Sequence, residues 1–331
     1  MIITRTPFRI SFFGGGTDYP AWYRENGGAV LATTIDKYCY ISCRRLPPFF
    51  EHKHRIVYSQ IENVQAIQEI QHPAVRAVLG YADIEAGLEI HHDGDLPARS
   101  GLGSSSSFTV GLLHALKALD GKLSDKEALA REAIHVEQNI IKESVGSQDQ
   151  VSAAFGGFNK IVFNRNDSFD VYPIIVQKER ISELNDHLML FFTGFSRFSS
   201  DIAKSKVDNF RNKQDELNYM LAMVDEAISI LENLDSPIDQ FGKMLHVSWQ
   251  YKRSLSDKVS TPEIDKLYEV AIGAGATGGK ILGAGGGGFL LVFAKPEKQV
   301  AVRQSLHQLV HVPFKFENSG SRVVLYQPNG L

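Results

Sequence analysis

The sequence predicts an α+β protein of two domains that share a cleft, and three observations carry that expectation. The chain has 331 residues, more than a single domain usually holds. Strand-like and helix-like stretches come in blocks, without the regular alternation that builds a doubly wound sheet. A glycine- and serine-rich segment, 97–106, joins a strand pattern directly to a long helical one. The composition, 43% hydrophobic and 22% charged, is that of a globular chain able to bury a core. A net charge of −3 and a pI near 6.4 argue against a dedicated nucleic-acid or membrane surface, so any phosphate binding must be local.

The first third reads as strands, at 8–13, 29–46 (two stretches across a turn), 55–59 and 87–91, because β-branched and aromatic residues dominate there. Cys39 and Cys43 would then share one face of a strand, too far apart for a comfortable disulfide. Buried, reduced thiols are expected, as in a reducing compartment. Helices follow at 104–119 and 125–142, the second opening on Ser124 and Glu127 as a capping box. Short strands at 160–163 and 169–174 close the first block. A second block opens near 186 with a continuous apolar run at 188–194, the mark of a buried strand. Helical patterns cover 201–234, 239–255 and 262–274. Strand 288–294, helix 296–309 and strands 312–317 and 322–325 complete the chain. The N-terminus lacks the apolar core of a signal peptide, and no run approaches membrane-spanning length. A cytoplasmic protein is expected, a monomer or homodimer with neither membrane nor nucleic acid as partner.

Three motifs carry chemistry. In the first, Pro97 to Ser106, two glycines let the backbone approach an anion at the start of a helix. The unpaired N–H groups there, the positive end of the helix dipole and the serine hydroxyls all favour phosphate. Gly-Lys-Ser/Thr is missing, so this is no Walker A loop. Read blandly, the segment is a serine-rich helix cap. The second motif ends a strand in Gly14-Gly15-Gly16 and continues with Thr17-Asp18. Asp18 could accept hydrogen bonds from two hydroxyls of a small molecule, although alone the motif also fits a hairpin turn. The third runs from Gly283 through Gly285, Gly286, Gly287 and Gly288 into a strand. So many glycines lose much entropy on ordering, which a close backbone approach would justify.

In this order, Pro7-x-Arg9 with Gly14 and Thr17-Asp18-Tyr19, Pro97-x-x-x-Gly101-Leu102-Gly103-Ser104-Ser105 and the late glycine run resemble the GHMP kinases, the family of galactokinase, homoserine kinase and mevalonate kinase. The resemblance implies a ribosomal protein S5 domain 2-like N-terminal domain at 1–185. A ferredoxin-like domain with added helices would follow at 186–331, and ATP and the acceptor would share the cleft between them. It further implies that Pro97, Arg99, Ser100, Gly101, Leu102, Gly103, Ser104, Ser105 and Ser106 bind the nucleotide. Ser105 and Glu137 would hold Mg²⁺. Asp149, in a segment like the Gly-x-x-Asp-Gln of galactokinase, would be the catalytic base, with Arg9 beside it to orient its carboxylate. Gly14, Gly15, Gly16, Thr17, Asp18, Arg197, Gly285, Gly286 and Gly287 would line the substrate site.

Galactokinase's Gly-Glu-His-Thr-Asp is replaced by Gly14-Gly15-Gly16-Thr17-Asp18, which speaks against galactose. Gly-Gly-x-Thr-Asp and the Thr193-to-Arg197 segment resemble the anomeric kinases of the heptose and fucose type. The implied reaction is phosphorylation of the anomeric hydroxyl of D-glycero-D-manno-heptose 7-phosphate to the 1,7-bisphosphate, a step toward GDP-heptose. Such an acceptor needs a cation for its phosphate. Arg197 is favoured for its neighbouring hydroxyls, with Lys204, Lys206, Arg44 and Arg45 as the other candidates. Arg99 departs from the small residue usual in the family. An L-fucose or arabinose 1-kinase is the alternative within the family. A decarboxylase of the mevalonate-diphosphate type and a non-catalytic sugar or ATP sensor are alternatives of other classes.

Overall fold

The computed structural model describes every residue except Arg99, 195–198 and 329–331, together with the side chain of Ser199. Arg99 and Arg197, both expected in the site, therefore lie outside the described residues. Among the described residues the strands form a nine-stranded and a four-stranded sheet. The first is organised around two long strands, β1 (Ile2–Phe13) and β2 (Gly28–Arg45), paired antiparallel from Ile2 opposite Cys43 to Phe13 opposite Leu31. β2 runs on as one strand where the sequence suggested two. Its polar centre is satisfied by the chain's other end: the Asp36 amide donates to the Lys315 carbonyl at 2.9 Å, and Asp36 Oδ1 accepts from the Lys315 amide at 2.8 Å.

On its other side β2 changes partners. Residues 39–45 pair with β5 (Leu88–Gly94), which lies parallel to β3 (His54–Val57); β3 in turn pairs with β4 (Ile61–Val64). Residues 28–33 pair with β6 (Phe158–Phe163), followed by β7 (Phe169–Pro173). The second sheet is antiparallel, in the order β11 (Val310–His311), β8 (Leu188–Phe192), β10 (Phe289–Phe293), β9 (Gly278–Ile281). The chain then returns to the first sheet, where β12 (Phe316–Glu317) pairs with β2 and β13 (Arg322–Tyr326) with β1. Residues 316–326 were expected in the second domain, and this pairing corrects that. A partnership between Ile2 and Tyr326 leaves no local trace in a sequence.

The helices are α1 (Pro20–Asn26), α2 (Pro73–Tyr81), α3 (Ser104–Leu119), α4 (Lys126–His135), α5 (Gln148–Phe155), α6 (Lys178–Asp186), α7 (Ser199–Asn209), α8 (Gln214–Glu232), α9 (Asp239–Ser254), α10 (Pro262–Gly273) and α11 (Gln299–Ser305). α3 packs on β1 and β2, as its apolar pattern required. The cap of α4 is Asp125, whose carboxylate accepts from the Ala128 amide at 2.7 Å, in place of the Ser124–Glu127 box. The single helix expected over 201–234 is two, α7 and α8, separated by a 3-10 turn at Phe210–Asn212. β10 is buried on both faces, which explains its unbroken apolar run. Phe289, Leu291 and Phe293 join the core shared with the first sheet, while Leu290 and Val292 face a second cluster around Trp249 and Tyr268. Phe12 and Phe13 meet Phe241 of α9 edge-to-face at 5.4 and 5.1 Å, so one apolar core links the two sheets. Cys39 and Cys43 are buried free thiols, as expected.

Candidate active site

A cleft between the two sheets gathers the three glycine motifs. The loop before α3 is clamped from both sides: the Arg9 amide of β1 donates to the Leu102 carbonyl at 3.0 Å, and the Phe289 amide of β10 donates to that of Ser100 at 3.1 Å. Gly101 (φ +83°) and Gly103 (φ +74°) take left-handed conformations that other residues rarely adopt. A Cβ on Gly101 would lie 2.6 Å from the Leu282 carbonyl oxygen, beside the late glycine run. One on Gly103 would lie 3.2 Å from Arg9 Cγ and 3.5 Å from Asp149 Oδ2. The glycines therefore let the loop before α3 lie flat on the ion pair beneath it, with Ser104 and Ser105 at the head of α3 open to the cleft.

That ion pair is the centre of the site. Asp149 stands in the first turn of α5, and Arg9, only 3% exposed, grips it with both arms. Arg9 Nε donates to Oδ1 and Nη2 to Oδ2, each at 2.8 Å, while Nη1 donates to the Gly101 carbonyl at 2.7 Å. A planar guanidinium is suited to this fork, because it fixes the carboxylate plane as well as its charge. The Asp149 side chain keeps 25% of its surface open to the cleft.

Asp18 forms the facing wall. It is buried, its Oδ1 accepts from the Gly16 amide at 2.9 Å, and burial raises its pKa above the usual carboxylate range. Gly15 and Gly16 line the cleft beside it. Thr17 serves the turn instead, its hydroxyl lying 2.8 Å from the Gly14 carbonyl and 2.9 Å from that of Ala29. Gly285 and Gly287 line the opposite wall, while the Gly286 amide is spent on the Val259 carbonyl at 2.8 Å. Pro97 is exposed, and Leu102 belongs to the core.

Glu137 lies behind the loop before α3 in a π-helical turn, Val136–Ile141, that interrupts the helix expected over 125–142 and ends at Lys142 with φ +63°. Such turns recur at functional sites because they rotate one side chain out of register. Glu137 is buried, and burial pushes its carboxyl up to about 7. Oε2 accepts from Ser106 Oγ at 2.9 Å and from Gln150 Nε2; Oε1 has no partner among the described residues. The hydroxyl against Glu137 thus belongs to Ser106, and Ser105 is exposed toward the cleft. A buried carboxylate oxygen without a partner among the described residues, next to a hydroxyl at the head of α3, fits a hard divalent cation that takes its remaining ligands from phosphate and water.

Three buried lysines also line the cleft: Lys206 of α7, Lys252 of α9 and Lys280 of β9. Lys280 Nζ donates to the Phe12 carbonyl at 2.7 Å, and Lys252 Nζ to the Ile281 and Gly283 carbonyls, both at 2.7 Å. Burial lowers all three pKa values, to about 7 for Lys280 and about 8 for Lys206. The sequence reading missed Lys252 and Lys280. The available signal was a lysine inside the strand pattern Gly-Gly-Lys-Ile-Leu at 278–282. Of the other cations considered, Arg44 pairs with Glu89 and Arg45 with Asp120, away from the cleft, and Lys204 is exposed.

Comparison with known proteins identifies this arrangement. The GHMP kinases N terminal domain family matches residues 65–157, and the GHMP kinases C terminal family matches 223–311. A D-glycero-alpha-D-manno-heptose 7-phosphate kinase of Campylobacter jejuni is 30% identical over 93% of each chain. The chain belongs to the GHMP kinase family. As a GHMP kinase it is a phosphotransferase, and its fold is the two-domain fold of that family. A bifunctional fucokinase/GDP-fucose pyrophosphorylase of Arabidopsis thaliana is 26% identical over 94% of this chain, which spans only 32% of that longer protein. The crystal structure of a D-glycero-D-manno-heptose 1-phosphate kinase from Bacteroides thetaiotaomicron shares the fold with a TM-score of 0.79, at 23% identity and 98% coverage of both chains. Among the described residues, no helix of this GHMP kinase is long and apolar enough to cross a membrane.

Proposed function

We propose that this chain is a sugar kinase that transfers the γ-phosphoryl group of ATP to the anomeric hydroxyl of D-glycero-D-manno-heptose 7-phosphate. The observation that carries the reading is the Asp149–Arg9 fork, set between a phosphate loop and the buried Asp18. Phosphoryl transfer asks a protein mainly for positioning and charge neutralisation, and these residues are arranged for both. Asp18 would receive sugar hydroxyls. The acceptor oxygen would lie against Asp149, whose open carboxylate edge takes its proton as that oxygen bonds the γ-phosphorus. The bond from γ-phosphorus to the β,γ-bridging oxygen breaks, and ADP leaves. Arg9 holds the carboxylate in plane throughout. Gly101, Gly103 and the head of α3 direct backbone N–H groups at the phosphates. Glu137 would hold Mg²⁺, with the hydroxyls of Ser105 and Ser106 beside it; the ion supplies charge neutralisation on the nucleotide.

Supporting the heptose are the similarity to the Campylobacter jejuni kinase over nearly the whole chain and the Gly14-Gly15-Gly16-Thr17-Asp18 segment. The second reading, an L-fucose 1-kinase, is favoured by similarity to a bifunctional fucokinase/GDP-fucose pyrophosphorylase and an L-fucokinase/L-fucose-1-P guanylyltransferase, of which the match spans 32% and 35%. The test is Mg²⁺-ATP-dependent ADP release with D-glycero-D-manno-heptose 7-phosphate, L-fucose, galactose and mannose 6-phosphate in parallel. Turnover on the heptose phosphate alone is expected. Turnover on L-fucose alone replaces the assignment by the second reading, and no transfer to any sugar removes both.

A further inference from the structure

Lys206 has an unusual place in the cleft. It is 4% exposed, yet its ammonium has no hydrogen-bond or ion-pair partner among the described residues and stands 5.4 Å from the centre of the Tyr19 ring. Lys252 and Lys280 spend their ammonium groups on backbone carbonyls, and Lys206 does not. The two acidic groups that attract it, Asp18 and Asp149, are already engaged, the first by the Gly16 amide and the second by both arms of Arg9. A buried ammonium without a partner among the described residues carries a desolvation cost that an anionic ligand offsets.

α7 supplies the second half of this corner. Ser200, Ala203 and Lys206 recur every three residues and all line the cleft, so this face of the helix looks into it. Ser200 adds a hydroxyl to the same wall of the cleft. An ammonium and a hydroxyl on one wall favour the same kind of ligand, an oxyanion. The corner lies on the Asp18 and Tyr19 side of the cleft, where an acceptor would lie, and the nucleotide phosphates have the loop at 101–106.

We propose that Lys206, with Ser200 on the same face of α7, forms the subsite for a phosphate group on the acceptor, making Lys206 the residue that selects phosphorylated sugars over free ones. The proposal rests on the sugar-kinase reading but not on the identity of the sugar. It is tested by comparing kcat/KM for matched pairs, D-glycero-D-manno-heptose 7-phosphate against the free heptose and mannose 6-phosphate against mannose, in the wild type, Lys206→Met and Lys206→Arg. The wild type is expected to prefer the phosphorylated member of the pair it accepts. In Lys206→Met that preference drops roughly 10- to 100-fold, mainly through KM, as expected for loss of a charge-assisted contact. Lys206→Arg recovers much of it. Inorganic phosphate is expected to compete with the sugar phosphate in the wild type and to lose potency in Lys206→Met. ATP-analogue binding shows whether the variants are folded. An unchanged preference in folded Lys206→Met, or a fall in kcat equal for both members of a pair, overturns the proposal. Preference for the phosphorylated member of the mannose pair alone overturns the heptose assignment while supporting the subsite.

Discussion

Replacing Arg9 by lysine separates charge from geometry at the centre of the site. Arginine makes three hydrogen bonds there, two to the Asp149 carboxylate at 2.8 Å and one to the Gly101 carbonyl at 2.7 Å. An ammonium on a shorter chain keeps the charge but can replace at best one of them. Each lost bond to a charged group costs roughly 1.5–3 kcal/mol. Water recovers part of this, because a quarter of the Asp149 side chain is open to the cleft. About 3 kcal/mol of transition-state positioning is then lost, which is about 100-fold in kcat. The Gly101 carbonyl also loses its anchor, so the phosphate loop loosens and KM for ATP rises by a smaller factor. The assay is steady-state ADP release at saturating sugar, with a thermal melt to establish that the variant is folded. A folded Arg9→Lys protein with kcat within threefold of wild type would refute the view that the fork sets the geometry of the base.

Three other outcomes follow from the same geometry. The Glu137 carboxyl, pushed up to about 7 from the usual 4.5, is held protonated more tightly in the folded than in the unfolded chain. Without cation, wild-type stability therefore falls as pH rises from about 4.5 to about 7, and stays lowered above that. Glu137→Gln removes the dependence. Thermal melts should show the variant above the wild type at pH 8 and level with it near pH 5, and Mg²⁺ should raise the wild type only; parallel profiles would contradict this. Gly103→Ala forces a side chain into a left-handed conformation at about 1–2 kcal/mol, and its Cβ presses on Arg9 and Asp149, so both melting temperature and kcat should drop. Cys39 and Cys43 are buried, and burial pushes the Cys43 thiol up to about 12; thiol reagents should label neither until the protein unfolds.

How much of this was legible in the sequence depends on whether the signal was local. The bounds of α3 could be read because a Gly-x-Gly junction and a run of serines precede an apolar helix. The Arg9–Asp149 pair followed from the family resemblance, since nothing local links residues 140 positions apart. Helix 201–234 was read as one because its amphipathic pattern crosses the 3-10 turn at Phe210–Asn212 almost without interruption. The return of β12 and β13 to the first sheet could not be read, since short strands declare their partners only through tertiary pairing. Lys252 looks like any lysine on a polar helix face, and only the glycine run packed beside it makes it a buried anchor. The unpaired oxygen of Glu137 depends on a π-helical turn that no residue in 136–141 announces.

The central claim is that Asp149 directs a phosphoryl group onto the anomeric oxygen of a sugar phosphate. Phosphorus NMR of the product formed from ATP and D-glycero-D-manno-heptose 7-phosphate tests it most directly, with wild type and Asp149→Asn side by side. The wild type should give a new phosphorus resonance coupled to the anomeric proton, in step with ADP. Asp149→Asn should bind an ATP analogue but form that product about 10²- to 10⁴-fold more slowly. A phosphoryl group on another carbon, or the same product from Asp149→Asn at the wild-type rate, would contradict the account.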